Sequence, residues 1–127
     1  MDSLKNQKIR ELHGAYRTLD RQPKSKRGFS FEKVIFELLD YEGLQPASSH
    51  RGKADEQIDC SFKFEGRLYL VEAKYLSRKV TYADLTGFIS KVEHWFAHPI
   101  GIVISPSGFS NDLPTKLVSP QAPLERV

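Results

Sequence analysis

Apolar positions recur at nearly helical spacing at the start of the chain, at Leu4, Ile9, Leu12, Ala15, Tyr16 and Leu19. They predict an amphipathic helix over Ser3–Leu19. The run RQPKSKRG, Arg21–Gly28, breaks that pattern with Pro23, Gly28 and a cluster of cations, and reads as a linker or exposed turn. FSFEKVIFELLDYEG follows, with Ser30 as the N-cap of a second helix and Gly43 as its C′ stop. Val34, Ile35, Phe36, Leu38 and Leu39 make this helix apolar on most sides, which predicts a central, buried element. Leu44–Arg51, with Pro46 and small residues, allows no more than an edge strand.

Gln57–Phe64 and Arg67–Lys74 alternate around Glu65-Gly66 as a β-hairpin. Thr81 and Asp84 have the spacing of a capping box. They open a third helix striped by Leu85, Phe88, Ile89, Val92 and Trp95. Ile100–Ile104 is wholly apolar, as in a strand interior to a sheet, and Ser105–Ser110 turns away from it. After Asn111 three prolines and the lack of any period predict an irregular, disordered tail. From Gly28 the order is helix, three strands, helix, strand. This is an α/β arrangement, a mixed sheet flanked by helices with an extra helix in front. The expected division is 1–27 as basic helix and linker, 28–110 as the core, and 111–127 as the tail.

Length and composition narrow the picture without fixing it. A chain of 127 residues suits one domain, and 39% hydrophobic content is compatible with a core. No apolar run approaches the roughly 18 residues of a membrane span, and the charged N-terminus has no apolar signal region. The single cysteine, Cys60, excludes an internal disulfide and a cysteine-based zinc ribbon. Together these features favour the cytoplasm. The net charge of +3 is unevenly spread, with eight Lys/Arg against three acids in residues 1–27. A basic arm could hold phosphates; an ordinary solvated helix and linker explains the same charges equally well.

The hairpin raises the chemical question. With a two-residue turn at Glu65-Gly66, Asp59 falls opposite Glu72 and Gln57 opposite Lys74, all on one side of the sheet. Side chains so placed lie within roughly 5 Å at Cβ. Two facing carboxylates repel unless a positive group lies between them. A hard divalent cation taking oxygen ligands is one answer, with the Ala73 carbonyl as a further donor. A salt bridge through Lys74 on a wet hairpin face is the other. Glu32, on the apolar second helix, is costly there unless paired or metal-linked, or favoured as a helix-start carboxylate.

These segments, Gly28-Phe29-x-x-Glu32, Glu56-Gln-Ile-Asp59 and Glu72-Ala-Lys74, resemble the PD-(D/E)xK nuclease superfamily, and in particular the Mrr-like type IV restriction endonuclease domain. Asp84-Leu85-x-x-Phe88-x-x-Lys91-Val92-Glu93 and Ser105-x-x-Gly108-Phe109-Ser110 look like segments of the same family. The resemblance covers about residues 27–110 and implies a restriction-endonuclease-like αβββαβ core. It also implies a metal-dependent DNA endonuclease used in restriction or defence against foreign or modified DNA. Asp59, Glu72 and the Ala73 carbonyl would then bind Mg²⁺, for which Mn²⁺ can substitute. Lys74 would assist the attacking water or the transition state, with Glu32 and Gln57 as accessory residues. Lys24, Lys26, Arg27, Arg51 and Lys91 are the candidate DNA contacts, and the family allows a homodimer. Family domains continue past the Gly-Phe-Ser turn with another helix and strand, which the proline-bearing tail replaces here. A catalytically silent DNA-binding module of the same fold is the alternative; a structural domain with a surface ion cluster is the third reading.

Other motifs carry less. His94 and His98 have i, i+4 spacing but no H-E-x-x-H context. Cys60 falls on the expected core face. No phosphate-binding glycine loop is present, so no nucleotide cofactor is expected.

Overall fold

The structure, a computed structural model, describes residues 3–48, 58–113 and 124–126. Helix α1 (Ser3–Arg17) passes through a 3₁₀ turn at Leu19–Arg21 into α2 (Lys24–Tyr41). Strands β1 (Ala47–Ser48), β2 (Cys60–Phe64) and β3 (Arg67–Ala73) follow, then α3 (Tyr82–His94), β4 (Ile100–Ile104) and β5 (Leu124–Arg126). The strands form one five-stranded sheet in the order β1-β2-β3-β4-β5. β1, β2 and β3 pair antiparallel, whereas β3, β4 and β5 pair parallel. Helix α3 is the crossover that parallel pairing of β3 and β4 requires.

Both faces of the sheet are covered. Leu70 and Val103 are fully buried beneath α3, against Leu85, Phe88 and Val92. Their neighbours on the opposite face, Cys60, Val71 and Ala73, pack against Phe31 and Ile35 of α2 and against Leu19. Because side chains alternate along a strand, the unbroken run Leu68–Val71 supplies both cores. Each fully buried Leu or Val is worth about 1.5–3 kcal/mol against exposure.

Local signals set several boundaries. Asp84 reaches back to accept from the Thr81 N–H at 2.8 Å and the Thr81 hydroxyl at 3.0 Å, which is half of a capping box. Arg78 adds two bonds at 2.7 and 2.8 Å. The Arg78 bonds, with those from Thr81, hold the Asp84 carboxyl well below the usual carboxylate range. At the end of α2, Gly43 takes φ 84°. The Gly43 N–H donates to Asp40 O and the Leu44 N–H to Leu39 O, the paired bonds of a Schellman stop.

Four expectations change. The second helix starts at Lys24, with Pro23 at its N-cap, rather than after Ser30. RQPKSKRG is therefore not a linker; its second half is helix. Proline is readily accepted at a helix start, and Arg27 fastens the junction, its Nε donating to Gln22 O (2.9 Å) and Nη2 to Asp20 O (2.8 Å). The Ser30 hydroxyl bonds the Gln22 side chain instead of capping. Secondly, α2 is not buried on most sides: Phe31 and Ile35 are buried, while Val34, Phe36, Leu38 and Leu39 are half-buried, because the helix meets the sheet with one stripe. Thirdly, α1 ends at Arg17, and Leu19 enters the core from the 3₁₀ turn. Finally, the tail is not wholly irregular. Leu113 is fully buried, and Leu124–Arg126 pairs with β4 from Gly101↔Leu124 to Val103↔Arg126. The strand expected to be missing after the Gly-Phe-Ser turn is thus present.

Candidate active site

The site is built by where the hairpin ladder stops. Glu65 (φ 51°) and Gly66 (φ 79°) are both left-handed, as a type I′ two-residue turn requires. That turn fixes the register from Phe64↔Arg67 to Cys60↔Val71. One step further along, Asp59 lies across from Glu72, just beyond the end of β2. The Lys74 N–H donates to Ile104 O of β4 at 2.9 Å. The preceding amide, of Ala73, therefore points the other way, toward β2. There the Asp59 carboxylate takes the place of the missing ladder carbonyl, with Oδ2 accepting from the Ala73 N–H at 2.6 Å.

Glu72 points to the α3 face, and its side chain is only 17% exposed. Lys74 Nζ lies 3.3 Å from Glu72 Oε2. Burial first and the Asp59 charge second push the Glu72 carboxyl up to about 7, against the pull of Lys74 and of Lys91 from α3. Two carboxylates and two ammonium groups thus share one corner. Glu32 approaches from the other face of the sheet, where it and Asp59 add to burial in pushing the Cys60 thiol up to about 12.

The structure therefore brings Asp59, Glu72, Lys74 and Lys91 together, with half-buried Glu32 on α2 near Cys60. Lys24 and Arg27 line a separate cleft with Tyr75 and Ser107, and Lys26 is exposed on the first turn of α2. Gln57 and Arg51 lie outside the described residues. His94 Nδ1 donates to Ser90 O (2.8 Å) on the surface, and His98 is exposed. The sequence signalled neither the Asp59–Ala73 bond nor the Ser107 loop as a wall of the cleft with Lys24 and Arg27, since both arise from pairing across the fold.

The donor set fits a hard divalent cation. Among the described residues no three His, Cys, Asp or Glu side chains form a cage. The oxygen donors at this corner are two carboxylates and the Ala73 carbonyl, which leaves the strand on the same side as its N–H. One or two carboxylates, completed by water and substrate phosphate, is how Mg²⁺ is usually held.

The Mrr_cat family model, described as restriction endonuclease, matches residues 24–116, well over half of the chain. The chain belongs to this restriction endonuclease family. No curated protein matches the sequence. Among solved structures, the family fold is shared with a repair endonuclease from Pyrococcus abyssi at TM-score 0.56 and 17% identity, over 84% of this chain and 48% of that one. It is shared with the MspJI restriction endonuclease in complex with a 27-mer oligonucleotide, at TM-score 0.54 and 15% identity, over 94% of this chain and 29% of that one. A protein of unknown function, AF1548, matches at TM-score 0.57 and 13% identity, over 75% and 55% respectively. The restriction endonuclease domain here thus spans about half or less of these chains. The match from residue 24 agrees with the helix start at Lys24.

Proposed function

We propose that this domain is a divalent-metal-dependent DNA endonuclease that hydrolyses backbone phosphodiester bonds, in restriction or defence against foreign or modified DNA. The observation that carries the reading is the desolvated Glu72 held beside Asp59, with Lys74 3.3 Å away. A fold gains nothing by crowding two carboxylates that the adjacent lysines only partly offset, whereas a cation-binding site needs them. The family membership and the DNA-bound neighbour support DNA as substrate.

Asp59, Glu72 and the Ala73 carbonyl would hold Mg²⁺ or Mn²⁺. When bound, the ion supplies Lewis-acid stabilisation of the phosphate and a water of lowered pKa. Asp59 is oriented by the Ala73 N–H, so its second oxygen has a fixed direction. Lys74 places its Nζ at the strand end, where it can orient the attacking water or offset charge developing on the phosphate. Lys91 adds a second positive charge from α3. Glu32, on α2 near Cys60, is an accessory carboxylate.

Plasmid nicking with Mg²⁺ or Mn²⁺ tests this. Wild type converts supercoiled to open-circular DNA, and EDTA stops it. Asp59→Ala falls to background, and Lys74→Ala slows cleavage by roughly 10²-fold or more, as for loss of a transition-state contact. Equal cleavage by all three proteins refutes the site. DNA retention by a wild type that never nicks identifies the silent module instead.

A further inference from the structure

A cleft of about 460 Å³ lies between the first turn of α2 and the loops that leave β3 and β4, lined by Asp20, Lys24, Arg27, Tyr75, Ser77 and Ser107 among others. It opens at the same end of the sheet as the carboxylates. Tyr75 and Ser77 follow Lys74 in the chain, and Ser107 lies just beyond Ile104, whose carbonyl takes the Lys74 N–H. Three residues reach at most about 10 Å. A DNA strand carries a phosphate for every ~3.4 Å of helix rise, so the Tyr75 wall of the cleft, three residues on from Glu72, lies within about three nucleotide steps of the Glu72 backbone.

Its walls are held in place. The Ser107 hydroxyl donates to Arg78 O at 2.6 Å, and the Val80 N–H to Gly108 O at 2.9 Å, which ties the two loops together. The Tyr75 ring rests on Phe31, with centroids 5.4 Å apart. Arg27 is pinned by the carbonyls of Asp20 and Gln22, which fix its guanidinium without neutralising it. Lys24 is exposed, and among the described residues no carboxylate pairs with it. Two fixed or available cations thus face one carboxylate, with hydroxyls at the rim. This is the chemistry of a site for a singly charged oxyanion.

We infer that this cleft holds a backbone phosphodiester of the DNA strand, a few nucleotides from the bond proposed to be cut, with Lys24 and Arg27 as its cationic contacts. The inference rests on the DNA reading above for the identity of the anion, not on cleavage. It turns part of the basic N-terminal region from a diffuse charge into a positioning contact, one that gives register and not sequence.

Fluorescence anisotropy of a short labelled duplex bound to the full chain, in EDTA and across a salt series, separates the two ideas. Lys24→Ala is expected to weaken binding roughly threefold or more at low salt, and to lower the slope of log K against log salt by about 0.9, one phosphate contact. Asp20→Asn should tighten binding. Lys33→Ala, which removes an equal charge from the exposed side of the same helix, should change neither quantity. A wild-type slope in Lys24→Ala overturns the inference, as does equal weakening in Lys33→Ala. So does an effect of Lys24→Ala on binding of inorganic phosphate but not of DNA. Lys24-dependent binding without any nicking refutes only the nuclease reading; nicking with no Lys24 dependence refutes only the cleft.

Discussion

Replacing Glu72 by glutamine should stabilise the metal-free protein while destroying its proposed activity. The Glu72 carboxyl titrates near 7 in the fold, against 4.5 for an ordinary glutamate. At about 1.4 kcal/mol per pH unit, that gap is worth roughly 3 kcal/mol. The sign follows from proton uptake. Between 4.5 and about 7 the folded protein holds the Glu72 proton more tightly than the unfolded chain does. This group's contribution is therefore fully present below 4.5 and is lost as the pH rises through about 7. Glutamine keeps the shape of the neutral acid and has nothing to ionise. Part of the gain is returned because Lys74 loses its partner, although that side chain is 28% exposed and can turn to water. A net gain of about 1.5–3 kcal/mol corresponds to a Tm higher by about 5–10 °C in a domain of this size.

The assay is thermal unfolding in EDTA followed by circular dichroism. Wild type and Glu72→Gln should melt together below pH 4.5, diverge as the pH rises from there to about 7, and keep the full difference above it. Adding Mg²⁺ or Mn²⁺ should then raise the Tm of wild type by ligand linkage and leave the variant unmoved. A variant less stable than wild type in EDTA above neutral pH would show that the Glu72 charge is satisfied by the fold itself. The site would then be a salt bridge and not a place for a cation.

Two further predictions concern neighbours of Glu72. Asp59→Asn keeps an oxygen to accept the Ala73 N–H, so it should melt near wild type, whereas Asp59→Ala orphans that amide at a cost of about 1–3 kcal/mol; both should fail to nick plasmid, and equal Tm values for the two would deny the bond its role. Cys60, 3% exposed and with its thiol pushed up to about 12, should resist a thiol-specific disulfide reagent in native buffer and react once urea has unfolded the chain; rapid native labelling would contradict the packing around it.

The features legible in the sequence are those written locally. Glu65-Gly66 supplied the left-handed pair of the turn, and with it the whole register that sets Asp59 across from Glu72. Thr81 and Asp84 announced the start of α3, and Gly43 the end of α2. The start of α2 was obscured because proline, glycine and consecutive cations are also how a linker is written. Only tertiary bonds, from Arg27 back to Asp20 and Gln22, distinguish the helix that forms. β5 was hidden for a similar reason. Leu124–Arg126 has no periodicity of its own and becomes a strand by pairing with the exposed edge of β4. The surroundings of Glu32 likewise depend on tertiary packing. Sequence placed it on the apolar stripe of α2; that helix packs over Cys60 and Ala73, and Glu32 is near enough to Cys60 to help push its thiol up.

One structural cause unites the pieces of the site. β2 stops pairing at Cys60 while β3 continues to Ala73, which leaves β3 with an unmatched amide facing its lost partner. An acid placed at that break completes the ladder, and is held rigidly because a main-chain N–H holds it. The next residue on β3 that points to the α3 face is then Glu72, and the one after is Lys74, by strand alternation alone. A sheet that ended evenly would satisfy Ala73 with a carbonyl and leave no place for Asp59. The uneven end therefore does two things at once. It presents charged groups from adjacent strands at one corner, and it fixes the geometry of one of them with a backbone bond that survives any change in the charge beside it. Catalytic groups must be held closely to their working positions, and a ladder terminus provides that support without a dedicated shell of side chains.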